Sequence, residues 1–389
     1  MDFVLSDEQE MLRNNSVDFI KDAKVAAWIE HAYQTKEFPY DFMRAAAHQG
    51  YLGMMVRERY GGAGLNFLDA LIAFGPIAFA SSALSLCVLA QETLFNSAVR
   101  RFGSEDQKEK YLPRSVKGEL FGCVANTEPG VGSDAKNIRL KAERRGDKWI
   151  LNGTKCFITS ASVAKAAVVS TRTAKRRSGH PGTTAFLIDV GDGMPGYTLD
   201  RVEEKIGQHG APLCQFTLTD YETRDENILG KLHGGWKVFD ETFQRSRVFI
   251  GMQAVELAQR AFNEMVFHTS DHKAFGKSVF DQSRPEIANL HLQIQAARLL
   301  CYTAADFEVH ANPRFVEASS LAKLAGAEAA LASTLFYFQK CGALSYLLHS
   351  QSSRLLLDAL AIPIYEGPSE IQRLIIAKQV LEFIKHVRV

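Results

Sequence analysis

The sequence has almost no net charge and no closely paired cysteines, and each shortage closes off a class of function. Over 389 residues, 45 Lys and Arg stand against 44 Asp and Glu, a formal net charge of +1. So balanced a chain has no broad attraction to nucleic acid or to acidic membranes. Its short basic cluster, Lys175-Arg176-Arg177, reads as a solvated loop. Cys87, Cys123, Cys156, Cys214, Cys301 and Cys341 form no C-x-x-C pair, and most sit in apolar surroundings. Buried free thiols in a reducing compartment are expected, with no disulfide framework. No Cys/His spacing of zinc type occurs, so no metal is expected. Gly61-Gly62-Ala63-Gly64 lacks both a preceding strand and the G-x-G-x-x-G spacing, which excludes a dinucleotide loop there. The acidic start, Met1 to Glu8, carries no signal-peptide pattern. A cytoplasmic location is expected, with the mitochondrial matrix as the alternative for a mature chain.

What is present is ordinary in composition, 46% hydrophobic and 23% charged, enough for more than one domain's core. Ala70 to Ala90 contains no charged residue and is long enough to span a bilayer. Gly75-Pro76 and Ser81-Ser82 interrupt it, and no basic flank sets an orientation, so a Pro-broken pair of buried helices is expected.

Three zones follow along the chain. Residues 1–120 carry helical apolar patterns, among them Met11 to Ile20, Phe42 to Leu52 and Asn96 to Tyr111. Residues 121–232 read as strands: Trp149 to Leu151 leads into a hairpin signal at Asn152-Gly153, followed by Cys156 to Thr159, Ala166 to Thr171, Thr184 to Val190 and Gln215 to Leu218. Thr173 to Thr183 is a polar loop. From residue 233 to 389 the helical period returns in Val238 to Thr269, Glu286 to Val309, Phe315 to Tyr337, Leu344 to Leu360 and a terminal helix. The order predicts an α+β chain: a helical domain, a small β-barrel or sheet domain, and a helical bundle, rather than a doubly wound sheet.

Three stretches carry candidate chemistry. Tyr365-Glu366-Gly367-Pro368-Ser369-Glu370-Ile371-Gln372-Arg373 sets one carboxylate on a tight Gly-Pro loop before a helix. Ser369 and Gln372 have capping-box spacing, and Ile371, Leu374, Ile375, Leu381 and Ile384 would anchor that helix in a core. Glu366 is either a general base on a rooted loop or a solvated glutamate. Thr127-Glu128-Pro129-Gly130-Val131-Gly132-Ser133-Asp134 is kept non-helical by Pro and Gly, and is either a ligand loop or a surface turn. In Leu151 to Thr159, Phe157 either lies against a planar ring with Thr159 at its edge, or is a core aromatic on an alternating strand.

Taken together, these elements resemble the acyl-CoA dehydrogenase family of flavoproteins. The resemblance spans nearly the whole chain, through Val56 to Leu65, Arg101 to Ser104, Thr127 to Asp134, Leu151 to Thr159, Glu226 to Gly230, Phe275 to Lys277 and Tyr365 to Arg373. It implies FAD held without a Rossmann fingerprint. Thr127, Ser133, Phe157 and Thr159 would surround the isoalloxazine, with His272, Phe275, Gln339, Gly342 and Glu370 as further cofactor contacts. Ser133, Phe243, Ser246, Arg247 and Gly367 would line the substrate site. Some of these contacts would come from a neighbouring subunit of a homodimer or homotetramer. Glu366 matches the family's base; the alternative position on an earlier helix is Ser246, so Glu366 has no rival. It would take the α-proton of an acyl thioester while the β-hydrogen passes to flavin N5 as hydride. The base's own amide and a flavin ribityl hydroxyl would hold the thioester oxygen. The resemblance leaves open a thioester of CoA or of a carrier protein, and an electron-transfer flavoprotein or oxygen as acceptor. An oxygen-using acyl oxidase and a scaffold subunit that has lost FAD are the other readings.

Several positions depart from the family pattern. Phe157 stands for a usual tryptophan and His272 for an arginine that pairs with the FAD pyrophosphate. Ala343 stands for the second glycine of the adenosine-binding segment, Leu357 for the arginine of Arg-Asp-Ala, and Pro368 for the threonine after Glu-Gly. An expected arginine near Gly207 to Gly210 is also missing. These departures imply a weaker or rearranged grip on FAD.

Overall fold

The computed structural model describes residues 4–175 and 182–387. The basic cluster at 175–177 and the loop from Thr173 therefore lie partly outside the described residues.

The chain begins with helices α1 (Asp7–Lys21), α2 (Ala23–Thr35) and α3 (Tyr40–His48). Ser6 and Gln9 form a full capping box on α1. The uncharged run then folds as α4 (Phe67–Ala80) and α5 (Ser82–Leu89), both largely buried. The break falls at Ser81 rather than at Gly75-Pro76. Ser81 is extended and its hydroxyl accepts from Leu84 N at 3.2 Å, while Pro76 stays inside α4 and forgoes one N–H bond. Among the described residues no helix is long and apolar enough to cross a membrane. Ala90–Asn96 winds as a buried π-helix, followed by α6 (Ser97–Phe102) and α7 (Glu105–Val116). The helical pattern from Asn96 to Tyr111 is thus two helices, separated where Ser104 caps α7 through a second capping box.

The middle zone is a mixed sheet of β1 (Gly122–Ala125), β2 (Lys141–Arg145), β3 (Lys148–Thr159), β4 (Ala166–Arg172), β5 (Thr183–Asp189), β6 (Tyr197–Val202), β7 (Leu213–Arg224) and β8 (Ile228–Leu229). Its order is β6-β7-β3-β2-β4-β5-β8, with β1 parallel to β4. The hairpin expected at Asn152-Gly153 is not there. β3 runs straight through these residues, and the turn lies between Arg145 and Lys148. Gly153 instead sits at a bulge against β7, where a Cβ would meet Leu140 at 2.9 Å.

Helices return as α8 (Gly235–Asp271), α9 (Val279–Gln282), α10 (Arg284–Val309), α11 (Phe315–Lys340), α12 (Gln351–Ala359) and α13 (Ser369–Val387). The helix expected over Leu344 to Leu360 starts only at Gln351, capped by Ser350; Gly342–Tyr346 is a 3-10 turn. The terminal helix also differs from expectation. Leu374, Leu381 and Ile384 are exposed, Leu374 by 67%, while Ile371 and Ile375 are partly buried, so α13 is rooted through its first two turns. No capping box forms there: the Gln372 amide donates to Gly367 O at 2.8 Å.

One core joins α4 and α5 to α8, α10 and α11, while the sheet keeps its own. One close helix–helix contact within the helical core stands beside the Glu366 loop. Gly251 on α8 faces Gly326 on α11, where a Cβ on Gly326 would stand 2.6 Å from Gly251 O. With no side chain between them the helices close up. One turn before each glycine stand Arg247 and Lys323, both buried.

Candidate active site

Arg247 and Lys323 converge on the loop that carries Glu366. Lys323 Nζ donates to Tyr365 O at 2.7 Å and to Gly367 O at 2.5 Å. Arg247 Nε donates to Glu366 O at 3.3 Å. Three consecutive carbonyls thus face two cations. This grip holds Glu366 at φ +50°, a left-handed conformation that costs a non-glycine residue free energy, and Gly367 at φ +94°. From the other side, Tyr365 Oη donates to Gln253 Oε1 on α8 at 2.7 Å, and Ser369 N bonds Pro363 O at 3.0 Å.

The Glu366 carboxyl end is buried, and its Oε2 has no hydrogen-bond partner among the described residues. Burial pushes its pKa up from 4.5 to about 7, with the Ser246 hydroxyl, the Lys323 ammonium and the Arg247 guanidinium opposing the rise. Burial likewise pulls Lys323 down from 10.5 to about 7, with Glu366 opposing. Ser246 lies on α8 beside Arg247, fully buried, with Thr93 Oγ1 of the π-helix 3.1 Å from its Oγ. Phe243 lies one turn earlier, partly buried, its ring 6.1 Å from that of Phe239. Glu366, Gly367, Ser246 and Arg247 are therefore brought together as the sequence suggested. Lys323, Thr93 and Gln253 were missed. The one available signal was a lysine alone in Ser319-Ser320-Leu321-Ala322-Lys323-Leu324-Ala325-Gly326, an otherwise uncharged run of small and apolar residues.

The second loop is pinned differently. Lys155 is fully buried, and its Nζ reaches Glu128 Oε1 at 2.8 Å, Asn126 O at 2.9 Å and Ser170 Oγ at 2.9 Å. Glu128 also accepts from Arg139 N at 2.5 Å and Leu140 N at 2.9 Å. Cys156 N donates to Thr127 O at 3.0 Å, tying this loop to β3. A bulge between Lys155 and Ile158 turns Phe157 outward at φ +56°, 59% exposed. Phe157 is therefore not a core aromatic. Thr159 is partly buried and Ser133 exposed; a Cβ on Gly130 or Gly132 would meet nothing within 4 Å. An outward aromatic face beside an open loop of small residues and hydroxyls fits a planar cofactor.

The remaining expected cofactor residues do not gather on this chain. His272 caps the end of α8 just before a two-stranded ribbon and Phe275 lies in that ribbon's turn, 99% exposed. Gln339, Gly342 and Glu370 are also exposed. The Arg-Asp-Ala departure is partly offset locally. Asp358 still accepts from Gln208 N at 2.5 Å, and burial lifts it from 3.8 to about 6. Lys205 Nζ donates to Gln208 O at 2.6 Å. Both missing arginines belong to this one spot, since a Cβ on Gly207 would stand 2.4 Å from Leu357 O. The cysteines are free among the described residues, and burial pushes the Cys87 and Cys301 thiols up to about 12.

The helical–sheet–helical order, the buried carboxylate with a free oxygen and the outward aromatic on the sheet match what the resemblance to a flavoprotein family led one to expect. The comparisons name the family. Models of the acyl-CoA dehydrogenase N-terminal, middle and C-terminal domains match residues 6–119, 123–221 and 233–381. The chain belongs to the acyl-CoA dehydrogenase family, whose members are FAD-dependent enzymes acting on CH–CH donors. It is 32% identical to the probable acyl-CoA dehydrogenase YngJ of Bacillus subtilis (strain 168), over 98% of this chain and 100% of that one. Butyryl-CoA dehydrogenase from Megasphaera elsdenii superposes with TM-score 0.92 at 29% identity, covering 98% of this chain and 100% of that one. A prolyl acyl carrier protein oxidase, AnaB, superposes with TM-score 0.90 at 26% identity over 97% and 100%.

Proposed function

We propose that the protein dehydrogenates an acyl thioester between its α- and β-carbons, with Glu366 as the base. The observation that carries this is the buried Glu366 carboxyl, lifted to about 7, with one oxygen lacking any partner. A carboxylate so placed is basic enough to take a thioester α-proton near neutral pH. The proton goes to Glu366, the C–H electron pair enters the new double bond, and a hydride leaves the β-carbon. FAD, when bound, supplies the acceptor for that hydride. Thr127, Ser133, Phe157 and Thr159 would hold its ring. His272, Phe275, Gln339, Gly342 and Glu370 would hold its remainder, some of them across a homodimer or homotetramer interface; their exposure on one chain supports that sharing. Ser246, Phe243 and Gly367 would flank the acyl group. Arg247 steadies the loop through the Glu366 carbonyl.

The test is anaerobic bleaching of the yellow protein by a panel of thioesters, each offered on CoA and on a carrier protein. Glu366→Gln should keep FAD and lose bleaching; retained bleaching refutes the base. The likeness to a carrier-protein oxidase favours a second reading, in which oxygen reoxidises the flavin. Peroxide formed in step with turnover would select it over an electron-transfer flavoprotein. Colourless protein that FAD cannot reconstitute would select the scaffold reading.

A further inference from the structure

We propose that Lys323 is a positioning residue for the dehydrogenation, acting through both the backbone and the charge of the base loop. It rests on the reading of Glu366 as the base. Lys323 has no solvent exposure, yet its ammonium does not meet a carboxylate directly: its contacts are Tyr365 O and Gly367 O, the carbonyls on either side of Glu366. A trans peptide is planar, with its C=O and N–H pointing opposite ways. Drawing Tyr365 O inward therefore turns the Glu366 N–H outward, away from the lysine. Among the described residues that amide donates to no protein acceptor. It is left to a substrate oxygen, the place where negative charge develops as the α-proton departs. Arg247 acts the same way on the next peptide, through Glu366 O.

The second effect is electrostatic. The charged groups facing Glu366 are Lys323 from α11 and Arg247 from α8; Asp240 sits behind Arg247 and Glu370 beside Lys323. From the π-helix the neighbour is the neutral Thr93, through Ser246. A protonated Lys323 favours the Glu366 carboxylate, so it holds down the pH at which the base becomes available.

The experiment uses FAD-loaded enzyme and a 3-thia-acyl thioester, presented on CoA and on a carrier protein. Sulfur in place of the β-carbon lets the ligand lose its α-proton while leaving no β-hydride to give. The long-wavelength absorption of its anion against the flavin then reports proton transfer alone, apart from turnover. Lys323→Met removes charge and donor; Lys323→Gln keeps a donor without the charge. Both should retain FAD, and in both the midpoint of the absorption should rise by about one pH unit. In Lys323→Met, kcat on a normal thioester should fall about tenfold or more with KM little changed, and Lys323→Gln should recover part of it. Flavin-loaded variants with the wild-type midpoint and kcat would overturn the proposal. So would loss of FAD and fold in both variants, which would leave the lysine a purely structural part. An absorption that persists in Glu366→Gln would instead remove the base assignment, and this proposal with it.

Discussion

Two loops carry residues proposed for cofactor binding and for the base, and each lies over a buried lysine, but the lysines are used in opposite ways. Under Thr127 to Asp134, Lys155 meets a carboxylate, and Glu128 is further bound by two backbone amides. Charge is cancelled and the geometry is locked. Under Tyr365 to Gly367, Lys323 meets only carbonyls, and the nearby carboxylate keeps an unpartnered oxygen. Lys155 keeps the higher pKa of the two, about 8 against about 7, although burial lowers both. The difference separates a buried charge whose partners are complete from one that keeps a carboxylate oxygen without a partner, the oxygen that the proposed function uses for proton transfer.

Glu366→Gln should break this comparison most severely. Turnover should fall about a thousandfold, since one base carries the proton transfer. The same variant should be more stable above pH 7. A carboxyl raised from 4.5 to about 7 in the folded state favours folding only while protonated. Its penalty therefore grows from about pH 4.5 and is complete above about pH 7, on the order of 3 kcal/mol for a shift of that size. Denaturant titrations of both proteins at pH 8 and pH 4.5 check this: the gap should appear at the first and close at the second. In the wild type, kcat should rise with pH through about 7.

Lys155→Met should give the opposite signature. It leaves Glu128 buried and unpaired, so stability at pH 7 should drop by about 3–5 kcal/mol, read as a fall in the denaturation midpoint. Adding Glu128→Gln should restore part of the loss, because the uncompensated charge is gone. Gly326→Ala sharpens the comparison from a third side. Its methyl would press on Gly251 O and spread α8 from α11, costing about 1–3 kcal/mol and reducing turnover by parting Lys323 and Arg247. Thermal melts with parallel bleaching assays would show both effects. The smallest change is Ser170→Ala, which removes one donor–acceptor contact to Lys155 and should cost about 1 kcal/mol with no change in the pH profile.

Much of this was legible in the sequence. The α–β–α order, most strands and the long helices follow from apolar period, and the Tyr365 to Arg373 and Thr127 to Asp134 motifs stand out by their Pro and Gly. The failures have physical causes. Asn152-Gly153 has the local chemistry of a hairpin turn, but long-range pairing of β3 with β7 overrides it. Leu374, Leu381 and Ile384 have the period of a buried face, yet period alone cannot say what covers it, and among the described residues they stay exposed. Gln372 has capping-box spacing, but the strained Glu366–Gly367 turn draws its amide to Gly367 O.

By itself the sequence singled out Glu366 as the residue to weigh as a base and laid out a helical, then strand, then helical order along the chain. Those are local properties of side-chain type and spacing. Only the tertiary structure decided that Glu366 is buried without a full set of partners and that Phe157 is turned outward. It alone brought Lys323 to within hydrogen-bond reach of residues more than 40 positions away. The reason is that desolvation and charge proximity depend on which helices can approach. Here that approach depends on Gly251 and Gly326 meeting face to face, a contact that no one-dimensional pattern records.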